Sequence, residues 1–121
     1  MALHTHTTVA LTALLVSLAA APADAAALWW TKTAVKSNSV KTCLSFASTA
    51  MRAEGMSNIR VSPMEVAGTH GGEYAAITCF KTAPRASAIV MVTGDAVEPV
   101  RQLSETLQRR IAGVVLIDNS P

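Results

Sequence analysis

A histidine and a glutamate stand three residues apart in the stretch AGTHGGEY, at positions 67–74. An imidazole beside a carboxylate can transfer protons near neutral pH or bind a metal ion, so His70 and Glu73 indicate a small hydrolase or metal-dependent protein as one alternative. The two glycines between them favour another interpretation. A tight turn there places both side chains at an exposed tip, where they form only a weak polar pair.

The other candidate metal ligands do not gather around His70. His4 and His6 belong to an N-terminal segment that we expect to be removed, and Met64 lies six residues before His70. At about 3.3 Å per residue of strand, Met64 and His70 would be roughly 20 Å apart, too far to share an ion. We therefore predict no metal and no cofactor, and we expect the methionines to fill the core.

Cys43 and Cys79 are the two cysteines of the chain. An even pair in an exported protein predicts a disulfide, and a bridge closing this loop stabilises a domain by roughly 4 kcal/mol in the chain-entropy model. No cysteine is then left as a nucleophile, and the G-x-S-x-G motif of serine hydrolases is missing from the sequence. The sequence favours a non-enzymatic protein stabilised by the disulfide.

The first 25 residues predict a cleaved secretory signal peptide. The apolar run VALTALLVSLAA at positions 9–20 precedes Ala-x-Ala cleavage sites in APADAAA. This run is shorter than the about 20 apolar residues that a membrane span needs, so we expect no span after cleavage. The sequence predicts a periplasmic or secreted protein in which residues 26–121 form a single small domain.

The chain that follows the leader is mildly basic. It keeps all ten Lys and Arg and seven of the eight Asp and Glu, so its formal charge is 10 − 7, or +3. The basic side chains are scattered and no aromatic residues are interleaved with them. A nucleic-acid partner is therefore not expected.

Hydrophobic periodicity predicts an alternation of strands and helices along residues 26–121. The predicted elements are a strand over 27–37, a helix starting after Ser37, Asn38 and Ser39 and running to Gly55, a strand over 58–70 interrupted by Pro63, a strand over 73–81, a strand over 87–94 that is apolar on both faces, a helix from Asp95 and Glu98 to Gly113, and an additional strand or packed arm over 114–118. The order β-α-β-β-β-α predicts an α+β two-layer sandwich, with both helices on one face of a mostly antiparallel sheet.

The glycine pair at 71–72 sets a register for the hairpin on either side of it. If His70 opposes Glu73, the apolar alternate residues of both strands share one face with Cys79, because opposite residues of an antiparallel pair point the same way. That face has to meet the helix that carries Cys43. We expect it to be buried.

The other hairpin face is more apolar than a free surface usually is. One of Trp29 and Trp30 can belong to this face, because neighbouring residues on a strand point to opposite faces. We expect one indole to fill the core edge and the other to be half exposed or to extend this surface. The predicted interaction surface consists of Tyr74, Phe80, Ala67, Ala76, Trp29 and Trp30. Its partner would be another exported protein, a small apolar ligand or a second copy of the chain.

Overall fold

The computed structural model describes residues 26–113. The predictions of a signal peptide over residues 1–25 and of a strand or arm over residues 114–118 lie outside the described residues. Between them the chain forms β1 (Ala27–Ala34), α1 (Val40–Ala53), β2 (Ser57–Val61), β3 (Glu65–His70), β4 (Glu73–Lys81), β5 (Ala86–Gly94) and α2 (Val97–Gly113).

Within this part of the chain, the strands form one antiparallel sheet in the order β1-β5-β4-β3-β2. Both helices pack on the same face of it. Met51 of α1 and Leu107 of α2 are fully buried in one core with Ile77 and Val90 of the sheet. The predicted α+β two-layer sandwich is confirmed, because each helix buries its apolar stripe against alternate residues of the strands.

One predicted strand is in fact two. Periodicity predicts a single strand over 58–70, but the chain turns around Pro63 and forms β2 and β3, which pair with each other. Proline has no amide hydrogen to donate to a sheet. The Ser62 amide closes the turn by donating to the Glu65 carbonyl oxygen at 2.8 Å. The described order is therefore β-α-β-β-β-β-α.

The hairpin of β3 and β4 has the predicted register. His70 opposes Glu73 and Thr69 opposes Tyr74, and Gly71 between them has a φ of 55°, a conformation that glycine adopts without steric cost. Cys79 points into the core and is fully buried. The turn thus assigns every residue of both strands to a face.

The helix α1 begins and is anchored as its sequence indicates. The Thr42 amide donates to Oγ of Ser39 at 3.1 Å, which satisfies one of the free amides at the start of the helix. Cys43 is fully buried one residue further on and forms the predicted disulfide with Cys79. The bridge joins the helix layer to the sheet.

The ends of α2 differ slightly from those predicted. The helix starts at Val97 and includes Gly113 as its last residue. Glu98, whose spacing from Asp95 suggests a capping box, instead accepts a hydrogen bond from Arg101 at 2.6 Å, since side chains three residues apart share a helix face. The predicted apolar stripe is buried: Val100, Leu103, Leu107 and Ile111.

Candidate functional site

The sheet face opposite the helices is not covered by any described helix, and we call it the open face. It is formed by even-numbered residues of β1 and β4 and odd-numbered residues of β3 and β5, which follow from the registers of the strands. One row of successive Cα partners crosses the whole sheet. The row consists of Trp30, Met91, Ala76, Ala67 and Arg60.

Four large apolar side chains of the open face are exposed to solvent. The exposed fraction is 59% for Trp30, 54% for Leu28, 42% for Met91 and 39% for Tyr74. These side chains are neighbours: Trp30 opposes Met91, while Leu28 and Tyr74 both oppose Thr93 from either side. Covering such a cluster is favourable, because each Å² of apolar surface removed from water contributes about 25 cal/mol.

Five of the six predicted surface residues lie on the open face, and Trp29 does not. Its Cα partner is Val92, a core residue, so the indole of Trp29 lies on the helix side of β1, where 37% of it is exposed. Of the other five, Ala67 is only 5% exposed and adds little area, and Phe80 is half-buried. The exposed apolar area belongs mainly to Trp30 and Tyr74 among the predicted set.

Met91 and Leu28 belong to this surface but are not among the predicted residues. The apolar run of β5 suggests a strand covered on both faces, and β5 is central in the sheet with Val90 and Val92 fully buried. Met91, which lies between them, points to the open face and is exposed. An apolar run does not reveal which of its faces a helix covers, so only the alternation of Met91 with the two valines could have signalled its place.

Two cationic side chains lie at opposite edges of the open face. Lys32 on β1 and Arg60 on β2 are exposed on the two edge strands of the sheet. The ammonium of Lys32 lies 5.6 Å from the ring centroid of Phe80, within the range of a cation–π contact. Glu65 is the one acidic side chain of the open face among the described residues, so this face carries an excess of positive charge.

The His70 and Glu73 pair lies at the hairpin tip, but it is partly buried and not fully exposed as expected. It lines a cleft of about 290 Å³, and only 20% of the Glu73 side chain is exposed. Nδ1 of His70 is 3.6 Å from Oε1 of Glu73, which is longer than a hydrogen bond. A second carboxylate, that of Glu54, also lines the cleft. The guanidinium of Arg110 binds this carboxylate through a hydrogen bond from its Nε atom.

Few described groups lie close to the imidazole of His70. No group of three His, Cys, Asp or Glu side chains in residues 26–113 is arranged to hold a metal ion. Nδ1 of His70 is buried and has no hydrogen-bond partner within the described part of the chain, so no described group sets the tautomer of this imidazole. When the imidazole is protonated, its contact with Glu73 is a weak, partly exposed ion pair.

Membrane insertion is not indicated by the helices that the structure describes, because neither is both long enough and apolar enough to cross a bilayer. Comparison with protein-family models, with curated proteins and with solved structures finds no match to this chain, so its function is inferred from its own side chains.

Proposed function

We propose that the protein is an exported, non-enzymatic binding domain whose open face docks onto a partner protein. The observation that carries this proposal is the cluster of Leu28, Trp30, Tyr74 and Met91, each more than one third exposed on a sheet face that no described helix covers. Contiguous apolar surface of this kind on a small protein marks a docking site.

Export is supported by two independent features. The N-terminal sequence has the apolar run and small-residue cleavage sites of a signal peptide, and Cys43 and Cys79 are bonded. Structural disulfides persist in oxidising compartments and are rare in the cytosol. Both features favour the periplasm or the extracellular medium as the place where the partner is met.

The shape of the open face favours a protein over a small apolar ligand. Small ligands bind in concave pockets. Four clefts of about 290 to 330 Å³ among residues 26–113 are lined by residues of the helices, the loops, the hairpin tip and the end of β2, and not by the exposed cluster of the open face. The open face is a sheet surface with exposed side chains in neighbouring rows. A partner with a matching flat apolar patch fits it best.

The charges of the open face indicate the charge that its partner should carry. Lys32 and Arg60 lie on the open face at the two edges of the sheet, and Glu65 is the single carboxylate of this face among the described residues. Electrostatic complementarity across an interface selects partners and speeds their encounter. We therefore expect an exported protein whose apolar patch is bordered by carboxylates, and an association that weakens as salt is raised.

Site-specific photo-crosslinking tests the proposal in the cells that make the protein. A photoreactive amino acid at Met91 should yield one discrete crosslinked protein, whereas the same probe at Arg109, exposed on α2, should not. Tyr74→Lys should remove the crosslink at Met91, because it puts an ammonium into the apolar cluster. His70→Lys, which adds the same charge at the hairpin tip, should leave the crosslink unchanged.

The partner found in this way can be measured directly in solution. Replacing Lys32 and Arg60 together by glutamate should weaken its binding at least tenfold at low salt and by less at high salt. The proposal fails if the probe at Met91 gives no crosslink, or if the probes at Met91 and Arg109 give the same products. It also fails if His70→Lys abolishes binding as completely as Tyr74→Lys, since the hairpin tip would then be the site.

A further inference from the structure

The two edges of the sheet are built differently. At one edge, β2 has five residues, a φ of 54° at Asn58 and a shift of register between Ser57 and Arg60. Short length, irregular backbone and exposed charge prevent an edge strand from pairing with another chain. At the other edge, β1 has eight residues in unbroken register with β5, no proline or glycine, and one charged side chain, Lys32.

Alternate backbone groups along β1 have no strand partner among residues 26–113. The Val35 amide donates to the Ala86 carbonyl oxygen at 2.9 Å, and along an antiparallel strand these bonds alternate between the two sides. The backbone amide and carbonyl groups of the odd-numbered residues of β1 thus point toward β5, and those of the even-numbered residues point toward the outer edge of the sheet. No strand formed by residues 26–113 lies beside that edge. The outward residues are Leu28, Trp30, Lys32 and Ala34.

Each face of this edge carries an exposed, largely apolar side chain from β1. Trp30 is exposed on the open face and Trp29 on the helix side, with exposed fractions of 59% and 37%. An unpaired backbone edge with an exposed indole on each face is a template for addition of a further strand. The short length and the irregular backbone of β2 are missing from β1, while each of the two strands carries one charged side chain, Arg60 and Lys32.

We propose that β1 pairs antiparallel with β1 of a second copy, which joins the two sheets into one. A second copy suits this edge because a two-fold axis normal to the sheet lays a strand of equal length against itself and keeps both helix layers on the same side. The inference does not rest on the proposed function, although Leu28 and Trp30 belong to both contacts. It depends on the edge of β1, and it holds whatever protein docks on the open face.

Charge selects the register of the pairing. An axis at Lys32 would place the two lysines directly opposite each other, which is unfavourable, and an axis at Thr31 would leave them about 7 Å apart along the strands. With the axis at Trp30 the offset is about 13 Å. In that register Trp30 opposes itself, and Lys32 of each copy opposes Leu28 of the other.

The area of this interface predicts a weak dimer. For aromatic side chains of about 150–250 Å², the exposed parts of Trp29 and Trp30 amount to roughly 200 Å² in each copy. Even with the strand edge added, the interface is smaller than the about 1,200 Å² total of a standard stable complex. We therefore expect monomer and dimer to exchange within a concentration range of about 5 to 500 μM.

Sedimentation velocity of the exported protein over this range should show the shift from monomer to dimer. Leu28→Pro removes an outward amide of β1 and should weaken the dimer at least tenfold. Val61→Pro is the matched control. The amide of Ser62 donates to β3, so the amide of the preceding residue, Val61, points outward from β2. The exposed fractions are also similar, 59% for Val61 and 54% for Leu28. This control should leave the dimer intact, and circular dichroism should show that both variants are folded.

Charge substitution at Trp30 gives a test that does not depend on proline. Trp30→Lys and Trp30→Glu should each be monomeric at all concentrations, because like charges then face each other across the axis. An equimolar mixture of the two should form a heterodimer. A mixture that stays monomeric while the unaltered protein dimerises would overturn the proposal.

Three other results would also overturn it. The first is a protein that is monomeric at 500 μM. The second is dissociation of the dimer by Tyr74→Lys but not by Leu28→Pro, which would assign the contact to the open face. The third is a monomeric protein that dimerises only after Leu116→Asp, which would show that the C-terminal residues occupy the edge. Since Tyr74→Lys should abolish partner docking and spare the dimer, failure of the dimer and failure of the proposed function are separable.

Discussion

Cys43 of α1 and Cys79 of β4 are joined by a disulfide with their Cα atoms 6.0 Å apart, across the boundary between the helix layer and the sheet. Both residues are fully buried. They are separated by 36 positions in the sequence, and the loop that they close contains β2, β3 and the hairpin turn. The bridge therefore restrains the part of the chain that forms one side of the sheet.

Removing this bridge should cost much of the stability of the domain. In the chain-entropy model, a loop of this length corresponds to about 4 kcal/mol, so the double variant Cys43→Ala/Cys79→Ala should lose roughly that amount of unfolding free energy, measured by urea denaturation. Thr49→Ala, an exposed change on the same helix, is the control and should change stability by less than about 0.5 kcal/mol. A loss below about 1 kcal/mol for the double variant would contradict the expected role of the disulfide.

Local chemistry was sufficient to predict the hairpin and the bridge. The glycine pair defines the turn, the alternation of apolar residues defines the buried face, and Cys79 has to lie on that face to reach Cys43. All three constraints assign the same face of the hairpin to the core. They can be recognised in the sequence because each depends on residues close in sequence or on one covalent bond. Pro63 marked the irregularity between β2 and β3, although a proline alone does not decide between a bulge and a turn.

The surfaces could not be predicted in the same way, since they depend on where distant elements pack. Met91 is exposed because both helices lie on the other face of the sheet, a choice that the apolar run of β5 does not encode. The cleft beside His70 forms where Pro99 and Leu103 of α2 approach the hairpin tip. Contacts between residues about thirty positions apart leave no periodic signal in the sequence.

Gly71 and Gly72 should respond differently to the same substitution. Gly71 has a φ of 55°, where a Cβ atom costs roughly 1–2 kcal/mol, so Gly71→Ala should lower the unfolding free energy by about that much. Gly72 does not have a positive φ, and a Cβ there would meet nothing nearer than Oδ2 of Asp95 at 3.9 Å. Equal losses for Gly71→Ala and Gly72→Ala in thermal or urea unfolding would show that the turn has another conformation.

Gly94 is a close-packed position between the end of β5 and α2. A Cβ atom at Gly94 would lie 2.8 Å from Cγ2 of Val100, a β-branched side chain that is 1% exposed and has no room to move away. Gly94→Ala should therefore destabilise the protein by about 1–3 kcal/mol through overpacking. Gly113→Ala is the matched control, because its added Cβ would have no atom of the described residues within 4 Å, apart from its chain neighbours and its own helix backbone, and it should be neutral or slightly stabilising. Urea denaturation measures the unfolding free energy of both variants. An unchanged value for Gly94→Ala would contradict the close packing of Gly94 against Val100.

Glu98 should titrate at a lower pH than an ordinary glutamate. The hydrogen bond from Arg101 to its carboxylate holds the pKa of Glu98 below its ordinary value, because the bond stabilises the charged form. A carboxyl group with a lowered folded-state pKa stabilises the fold above its unfolded pKa, and this contribution is lost as the pH falls through the folded pKa.

Nuclear magnetic resonance titration of the Glu98 carboxyl carbon measures the effect directly. Arg101→Gln should raise the pKa of Glu98 toward that of a free glutamate, about 4.3, since it removes the donor. Arg109→Gln is the matched control: in the structure Arg109 donates to Thr106, so its loss should leave the titration of Glu98 where it is. If both substitutions shift the titration equally, the cause is the overall charge of α2; if only Arg101→Gln does, the cause is the hydrogen bond that joins two neighbouring turns of the helix.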